Sequence, residues 1–358
     1  MIRGLVTSLI FLICASAAGV GGSYYLLRGY GNASQIIPGT QTIVLEPGES
    51  LAALAVDLAN HQVVDRALYF RLWARFFSQF ARFQAGTYRF EGVLSPHEVA
   101  AEFIAGKVFR AVFVTVAIPE GYNLRQIGDK LEAANIGTRA EFLRLTRDPT
   151  VIRSVGLSTK TLEGYIYPAT YPYFSMPTVN DFIVDTIATF KQNMPANYEA
   201  DLAKMGLTLN QGLTLASLIE LETADDSERF LISEVIWRRY RDGGPLGIDA
   251  ALIYGIKDYA GDIRWKDLQD RKNPYNTRIF RGLPPTPIGS PSRLSMEAVL
   301  SPANDGNYYY VVDVSTPLPH KHKFSKTLAD HQRYVRLLID QSKLKSEKHR
   351  PDKTRGTE

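Results

Sequence analysis

The chain has 358 residues, which is long enough for two or three compact units. Of these residues 45% are hydrophobic and 22% charged, a composition typical of globular proteins. A formal net charge of +4 suits an anionic polymer or a membrane surface, but it is too small to indicate nucleic-acid binding. Cys14 is the only cysteine, which excludes a disulfide framework and a thiolate metal site within one chain.

The N-terminal segment predicts export from the cytoplasm. Gly4 to Leu27 contain no charged residue, and a helix of that length, at about 1.5 Å per residue, can cross a bilayer core. Residues 1–28 are therefore predicted to be a short cytoplasmic N-terminus and a transmembrane anchor, with the remainder on the outer side. A cleaved signal peptide is the alternative, because Ala15 to Ala17 resemble a cleavage site.

Residues 29–40 are predicted to be a linker, and a strand–turn–helix pattern follows it. Gln41 to Leu45 are strand-like, Pro47 and Gly48 form a turn, and Ser50 is placed to cap an amphipathic helix. A second strand (Ala85 to Phe90) and a helix (Ser95 to Ala105) are predicted after it.

A similar strand–turn–helix pattern returns 73 residues later. Val112 to Ile118 are strand-like, Glu120 and Gly121 form a turn, and Asn123 takes the capping position. The matched positions are Gly48, Leu51, Leu54, Leu58 and Val63 with Gly121, Leu124, Ile127, Leu131 and Ile136. The constant offset indicates two copies of one unit; coincidence of two ordinary strand–turn–helix elements is the alternative.

The segment after Thr159 predicts an α+β domain that ends near residue 340. Helices are predicted near Val179–Met194, Leu209–Glu222, Ser227–Arg241 and Leu328–Leu344, and a strand over Tyr308–Val314. Residues 341–358 are polar and charged, and are predicted to be a disordered tail.

The helix that ends at Glu222 contains the strongest candidate for chemistry. It is apolar, and it ends with Glu220 and Glu222, which on a helix point to different sides. A carboxyl in dry surroundings keeps its proton near neutral pH, as a general acid acting on a glycosidic oxygen requires. On spacing alone, a solvated pair of carboxylates explains the pattern as well.

Several segments, in order, resemble the YceG-like endolytic murein transglycosylases, the MltG family. The resemblance covers residues 41 to 338, and its segments are Ala85–Phe90, Leu162–Pro168, Leu215–Thr223, Ser227–Arg229, Tyr254–Gly255, Tyr275–Thr277, Gly282–Ile288, and Phe324, Thr327 and His331. The sequence departs from the family pattern around Asp249, at Thr286 and over Val314 to Pro319.

The resemblance implies a catalytic residue and a domain organisation. Glu222 is the implied catalytic glutamate, with Glu220 as the alternative. The repeated units are implied to be LysM-like modules, in regions 41–111 and 112–158, before a catalytic domain over 159–340. Such modules recognise amino-sugar polymers and would hold the substrate near the site.

Six further residues are candidates for substrate contact: Tyr275, Asn276, Thr277, Glu163, Tyr165 and Asp249. For the 275–277 segment, a polar turn that satisfies its own backbone is the alternative. Glu163 could instead cap a loop, and Asp249 could cap the helix that follows it. His320 and His322 are interpreted as a surface pair, and no cofactor or metal site is predicted.

The implied activity is lytic cleavage of peptidoglycan glycan strands between N-acetylmuramic acid (MurNAc) and N-acetylglucosamine (GlcNAc), leaving 1,6-anhydro ends. The resemblance also implies nascent strands as substrate, peptidoglycan synthases as partners and a place on the outer side of the bacterial cytoplasmic membrane. Two alternatives stay open: a hydrolase that cuts the same polymer with water, and a non-catalytic wall-binding scaffold that recruits synthases.

Overall fold

The computed structural model describes residue 19, residues 21–257 and residues 259–348, with side chains as far as residue 339. Most of the predicted anchor, residues 1–18 and 20, lies outside the described residues. Residues 21–32 are helical, and within the described part of the chain no helix is both long and apolar enough to cross a membrane. The described residues form two compact units, divided between Ala111 and Val112.

The first unit is a two-stranded antiparallel sheet covered by helices. Strand β1 (Gln35–Leu45) pairs with β2 (Gly86–Leu94), with a register shift between Ile37 and Gln41. The helices are α1 (Leu51–Asn60), α2 (Ala67–Phe77) and α3 (Pro96–Ala105). The core has aromatic side chains at its centre: Phe70, Trp73, Tyr88, Phe90 and Phe103.

The second unit contains the remaining described elements. Its helices are α4 (Leu124–Ala133), α5 (Arg139–Leu145), α6 (Pro149–Ser154), α7 (Val179–Asn193), α8 (Tyr198–Lys204), α9 (Leu209–Glu222), α10 (Arg229–Arg241), α11 (Asp249–Gly255), α12 (Trp265–Leu268), α13 (Arg293–Leu300) and α14 (Leu328–Lys348). Two antiparallel strand pairs accompany them: β3 (Val114–Ala117) with β4 (Thr170–Tyr173), and β5 (Tyr309–Val312) with β6 (His322–Ser325). Helices with small antiparallel sheets confirm the predicted α+β class.

One hydrophobic core runs through the second unit. It includes Leu124 and Ile127 from α4 as well as Leu213 and Leu218 from α9. Residues 112–158, predicted as a module region of their own, therefore share a core with the predicted catalytic domain.

The two strand–turn–helix segments have matching backbone geometry. Gly48 and Gly121 both have positive φ, 81° and 74°, a conformation that glycine adopts without steric cost. Gln62 and Asn135, again 73 residues apart, have φ of 55° and 57° after their helices. Their identification as LysM-like modules stays a prediction.

The C-terminal helix extends further than predicted. Helix α14 continues to Lys348, so residues 341–348 of the predicted disordered tail are helical. The rest of that tail, residues 349–358, lies outside the described residues.

A close backbone contact connects the start of α4 to the segment before α13. The Gly121 N–H donates to the Ser290 carbonyl at 2.8 Å, and the Ser290 N–H donates to the Tyr122 carbonyl at 2.8 Å. A Cβ at Gly289 would lie 2.3 Å from the Gly121 oxygen, so the approach requires glycine there. This contact fixes the segment before α13 against the start of α4.

Candidate active site

Glu222 is the last residue of α9, a helix buried on nearly all sides. A capping box at Thr208 starts the helix, and Thr223, with φ of −146°, ends it. Every residue from Gly212 to Glu220 is buried, whereas Glu222 is half-buried. The end of the helix therefore delivers one carboxyl from the core to the edge of a cleft.

That cleft has a volume of about 890 Å³ and is formed by elements from several parts of the second unit. Its lining includes Glu222, Arg239, Asp249, Arg278, Tyr308, Tyr309, Tyr310, His322 and His331. Aromatic faces beside hydrogen-bonding groups are typical of sites that bind a polar ligand with an apolar face.

The surroundings of Glu222 favour its protonated form. Burial raises the pKa of the Glu222 carboxyl, and the negative charge of Asp249 adds to that effect. The Tyr310 hydroxyl donates to Glu222 Oε2 at 2.9 Å and, with the nearby Arg239, holds the pKa down. Burial is the largest of these effects, so the net direction is upward.

The carboxylate of Glu220, the alternative candidate, is occupied by hydrogen bonds from other protein groups. Its Oε1 accepts from Arg229 at 2.8 Å, and its Oε2 accepts from the backbone and hydroxyl of Ser292 at 2.7 and 2.6 Å. Both side chains of the ion pair are 3% exposed. Glu220 therefore connects α9 to α10 and α13, and it is Glu222 that lies in the cleft.

Asp249 is the second carboxylate in the lining of the cleft. It is the first residue of α11 and is exposed. Its Oδ1 accepts from Arg278 Nε at 3.2 Å, so it pairs with an arginine of the cleft and does not cap its own helix.

The 275–277 segment supports the cleft from outside its lining. The Asn276 amide donates to the carbonyls of Asp267, Leu268 and Asp270. Thr277 Oγ1 accepts from the Ile248 N–H at 2.9 Å, which fixes the backbone just before α11. The Tyr275 hydroxyl bonds to Thr286 at 2.8 Å. These polar atoms bond to protein groups, and substrate contact by the segment stays a prediction.

Glu163 and Tyr165 are also buried away from the cleft. Glu163 Oε1 accepts from the Leu124 N–H at 3.1 Å, and its Oε2 accepts from the Tyr254 hydroxyl at 2.6 Å. Burial raises the pKa of Glu163 to about 7. Tyr165 packs against Phe190 in the core. Glu163 thus caps α4, and neither side chain lies where the predicted substrate contact would need it.

Three side chains near Glu222 were missed by the sequence reasoning. Tyr310 was only one of several tyrosines in a predicted strand, and Arg239 only one of the basic residues of α10. His322 was interpreted as a surface residue, which is wrong, because its side chain is 4% exposed. The position of His322 follows from strand pairing, because it lies in β6, whose partner strand β5 carries Tyr310.

Comparison with known proteins places the chain in a family. A model of the YceG-like family matches residues 43–337. The chain is 28% identical to the endolytic murein transglycosylase of Streptococcus pneumoniae serotype 2 (strain D39), over 92% of this chain and 64% of that protein. It is 26% identical to the endolytic murein transglycosylase of Bacillus subtilis (strain 168), over 82% of this chain and 83% of that protein.

A solved structure agrees with this match. The crystal structure of a yceG-like protein from Listeria monocytogenes superposes with a TM-score of 0.56 at 27% identity, covering 82% of this chain and 98% of that one. The chain spans only 64% of the length of the pneumococcal relative. With the family model matched along most of its length, the chain belongs to the YceG-like family.

Proposed function

We propose that this chain is an endolytic lytic transglycosylase that cuts peptidoglycan glycan strands between MurNAc and GlcNAc. The observation that carries the proposal is a single carboxyl, Glu222, held with a raised pKa at the wall of a large cleft. The names of the pneumococcal and Bacillus relatives support the same reaction.

In the proposed mechanism Glu222 acts twice. Its protonated carboxyl donates to the glycosidic oxygen as the bond to the muramic C1 breaks. The resulting carboxylate then takes the proton of the muramic C6 hydroxyl, and that oxygen bonds to C1. The products are a free GlcNAc hydroxyl and a 1,6-anhydro-MurNAc end. Because no water is activated, the reaction needs no second carboxylate, in contrast to the paired carboxylates of glycoside hydrolases.

Mass spectrometry of digested peptidoglycan tests this reaction. We expect wild-type protein to leave anhydro ends, lighter by one water than reducing ends, and Glu222→Gln to leave none. Glu297→Gln is the matched control, because among the described residues that surface carboxylate forms an ion pair with Arg293 alone; the variant should cut normally. Hydrated ends would instead support the hydrolase. A wild-type protein that does not cut peptidoglycan would support the wall-binding scaffold.

We also propose that the chain works at the outer face of the cytoplasmic membrane. The uncharged segment from Gly4 to Leu27 supports an anchor, and the two strand–turn–helix units support LysM-like recognition of the glycan. Nascent strands as substrate and peptidoglycan synthases as partners belong to the same proposal. A full-length chain in the membrane fraction is expected; a shortened soluble product would mean that the segment is a cleaved signal peptide.

A further inference from the structure

His322 lies in the lining of the cleft and is held from behind by Glu228. The imidazole Nδ1 is 2.7 Å from Glu228 Oε2, and the backbone N–H of His322 donates to Oε1 at 2.8 Å. The Thr223 hydroxyl also donates to Glu228 Oε2, at 3.1 Å. The His322 side chain is 4% exposed and that of Glu228 6%, so this arrangement is built into the protein and does not depend on solvent.

The contact with Glu228 determines what the other ring nitrogen can do. A carboxylate only accepts hydrogen bonds, so Nδ1 must carry the hydrogen. In the neutral imidazole Nε2 is then an acceptor. Among the described residues Nε2 has no hydrogen-bond partner, and it lies on the ring edge away from Glu228 while the ring lines the cleft.

The His322 ring packs against the tyrosine that bonds to the proposed acid. The His322 ring is perpendicular to the Tyr310 ring, with 5.5 Å between centroids, and the Tyr310 hydroxyl bonds to Glu222. Thr223, which bonds to Glu228, directly follows Glu222 in the chain. The segment from Glu222 to Glu228 and the strand pair β5–β6 therefore place Glu222 and His322 on the same side of the cleft.

We propose that His322 Nε2 accepts a hydrogen bond from an amino-sugar group of the substrate, a hydroxyl or an acetamido N–H, next to the bond that is cut. Glu228 is the positioning residue that sets the tautomer and orientation of the ring. This inference rests on the proposed function, since it names a substrate contact in the same cleft.

Two substitutions separate the two ring nitrogens. In His322→Asn the side-chain amide can replace Nδ1 and keep the bond to Glu228, but nothing replaces Nε2. In His322→Gln the longer side chain reaches the position of Nε2. In the uncleaving Glu222→Gln background, we expect Asn to weaken binding of purified uncrosslinked glycan strands about tenfold, and Gln to weaken it at most about threefold. With Glu222 intact, the same ranking is expected in KM.

The outcomes distinguish this contact from a structural role. If Glu228 binding were the only role of His322, Asn would bind like the parent and Gln would be impaired, which would overturn the proposal. His320→Asn is the matched control, because that ring bonds to the Thr316 carbonyl and is outside the lining of the cleft; it should change nothing. Wild-type protein that binds glycan but leaves no anhydro ends removes the proposed reaction and leaves this binding test intact.

A measurement without any change at His322 covers the case in which the variants do not fold. In the Glu222→Gln protein labelled with ¹⁵N-histidine, we expect the Nε2 resonance of His322 to shift as glycan strands saturate the cleft. A resonance that does not move at saturation overturns the contact. If the protein neither binds nor cleaves glycan, the contact and the proposed function are both overturned.

Discussion

Glu220 and Glu222 are chemically identical side chains two residues apart, and the fold gives them opposite surroundings. Glu220 is surrounded by three donors from Arg229 and Ser292, and Glu222 by one tyrosine hydroxyl and the cleft. A residue whose hydrogen-bonding capacity is filled by the protein stabilises the fold. A carboxyl with an open side can exchange a proton with a substrate.

Replacing Glu220 is expected to affect stability more than chemistry. Glu220→Gln leaves the buried Arg229 with a weaker partner, and we expect a loss of about 2–4 kcal/mol in the free energy of unfolding. Urea denaturation measures this loss. Folded Glu220→Gln protein should still cut glycan; complete inactivity without any loss of stability would assign the catalytic role to Glu220.

If Glu222 is the general acid, we expect the hydrogen bond from Tyr310 to lower the pH at which activity is lost. A general acid must be protonated, so activity should fall as pH rises through the pKa of Glu222. Tyr310 stabilises the charged carboxylate and holds that pKa down. Tyr310→Phe should therefore raise the pKa and move the falling limb of the pH–rate profile to higher pH.

The neighbouring Tyr309 provides the comparison for this pH effect. Its ring also lines the cleft but stacks on His331, so Tyr309→Phe should leave the falling limb in place. A limb that moves equally in both variants, or moves to lower pH in Tyr310→Phe, would contradict the assignment of Glu222 as the acid.

The sequence singled out Glu222 as the candidate acid but not its neighbours, for a physical reason. An apolar helix that ends in Glu222 is a local pattern, readable within α9 itself. Tyr310 reaches Glu222 from β5 and His322 packs against Tyr310 from β6, about 90 to 100 positions along the chain, and such approaches depend on tertiary packing. For the same reason Asn276, Thr277 and Glu163 could be selected as polar residues, but their backbone partners could not be foreseen.

At the scale of elements, the first N–H of α4 donates to a buried carboxyl, that of Glu163. The stability of the protein should therefore depend on pH. Glu163 accepts from the first N–H of α4, and its pKa is raised from 4.5 to about 7. The folded state thus holds the proton more tightly than the unfolded chain does. The free energy of unfolding should fall by roughly 3 kcal/mol between pH 4.5 and 7 from this group, and then level off.

The substitution Glu163→Gln removes that titration while keeping an acceptor for Leu124. Melting temperatures across pH 4.5 to 8 should fall less in this variant than in the wild type. Above pH 7 it should be the more stable of the two. Parallel curves for the two proteins would mean that Glu163 does not carry the pH dependence.

Element boundaries were predictable where local signals are strong. Ser95 with Pro96, Asn123 and Ser50 start their helices where their capping chemistry predicts. The pairing of β3 with β4 was not predictable, because four-residue strands more than fifty positions apart carry no pattern that names a partner. The helical continuation of α14 beyond Leu344 was missed because the composition of that segment was judged by charge alone.

At the scale of the whole molecule, two separate cores predict two separable unfolding events. Phe103 is buried in the first core against Tyr88 and Phe90. Phe103→Ala should cost about 3–5 kcal/mol and lower the unfolding temperature of the first unit. In calorimetry a second transition, that of the unit with the cleft, should stay in place; a shift of both together would mean that the units unfold as one.

The division into units was predictable on one side only. The predicted boundary between regions 41–111 and 112–158 falls where the compact units divide. The predicted boundary after residue 158 falls inside a continuous core. Composition changes there because tyrosines and prolines enter the sequence, whereas a core is defined by contacts that composition does not record.

The position of Glu222 as the final residue of α9 has a consequence for both proton transfers of the proposed reaction. The carbonyls of a helix sum to a partial negative charge at its C-terminus, which repels an anion placed there. Before cleavage this repulsion helps the carboxyl to keep its proton. After the proton has been donated, the same repulsion favours protonation of the carboxylate again. In the proposed reaction, the helix terminus therefore favours the return of a proton to Glu222 after that residue has acted as the acid.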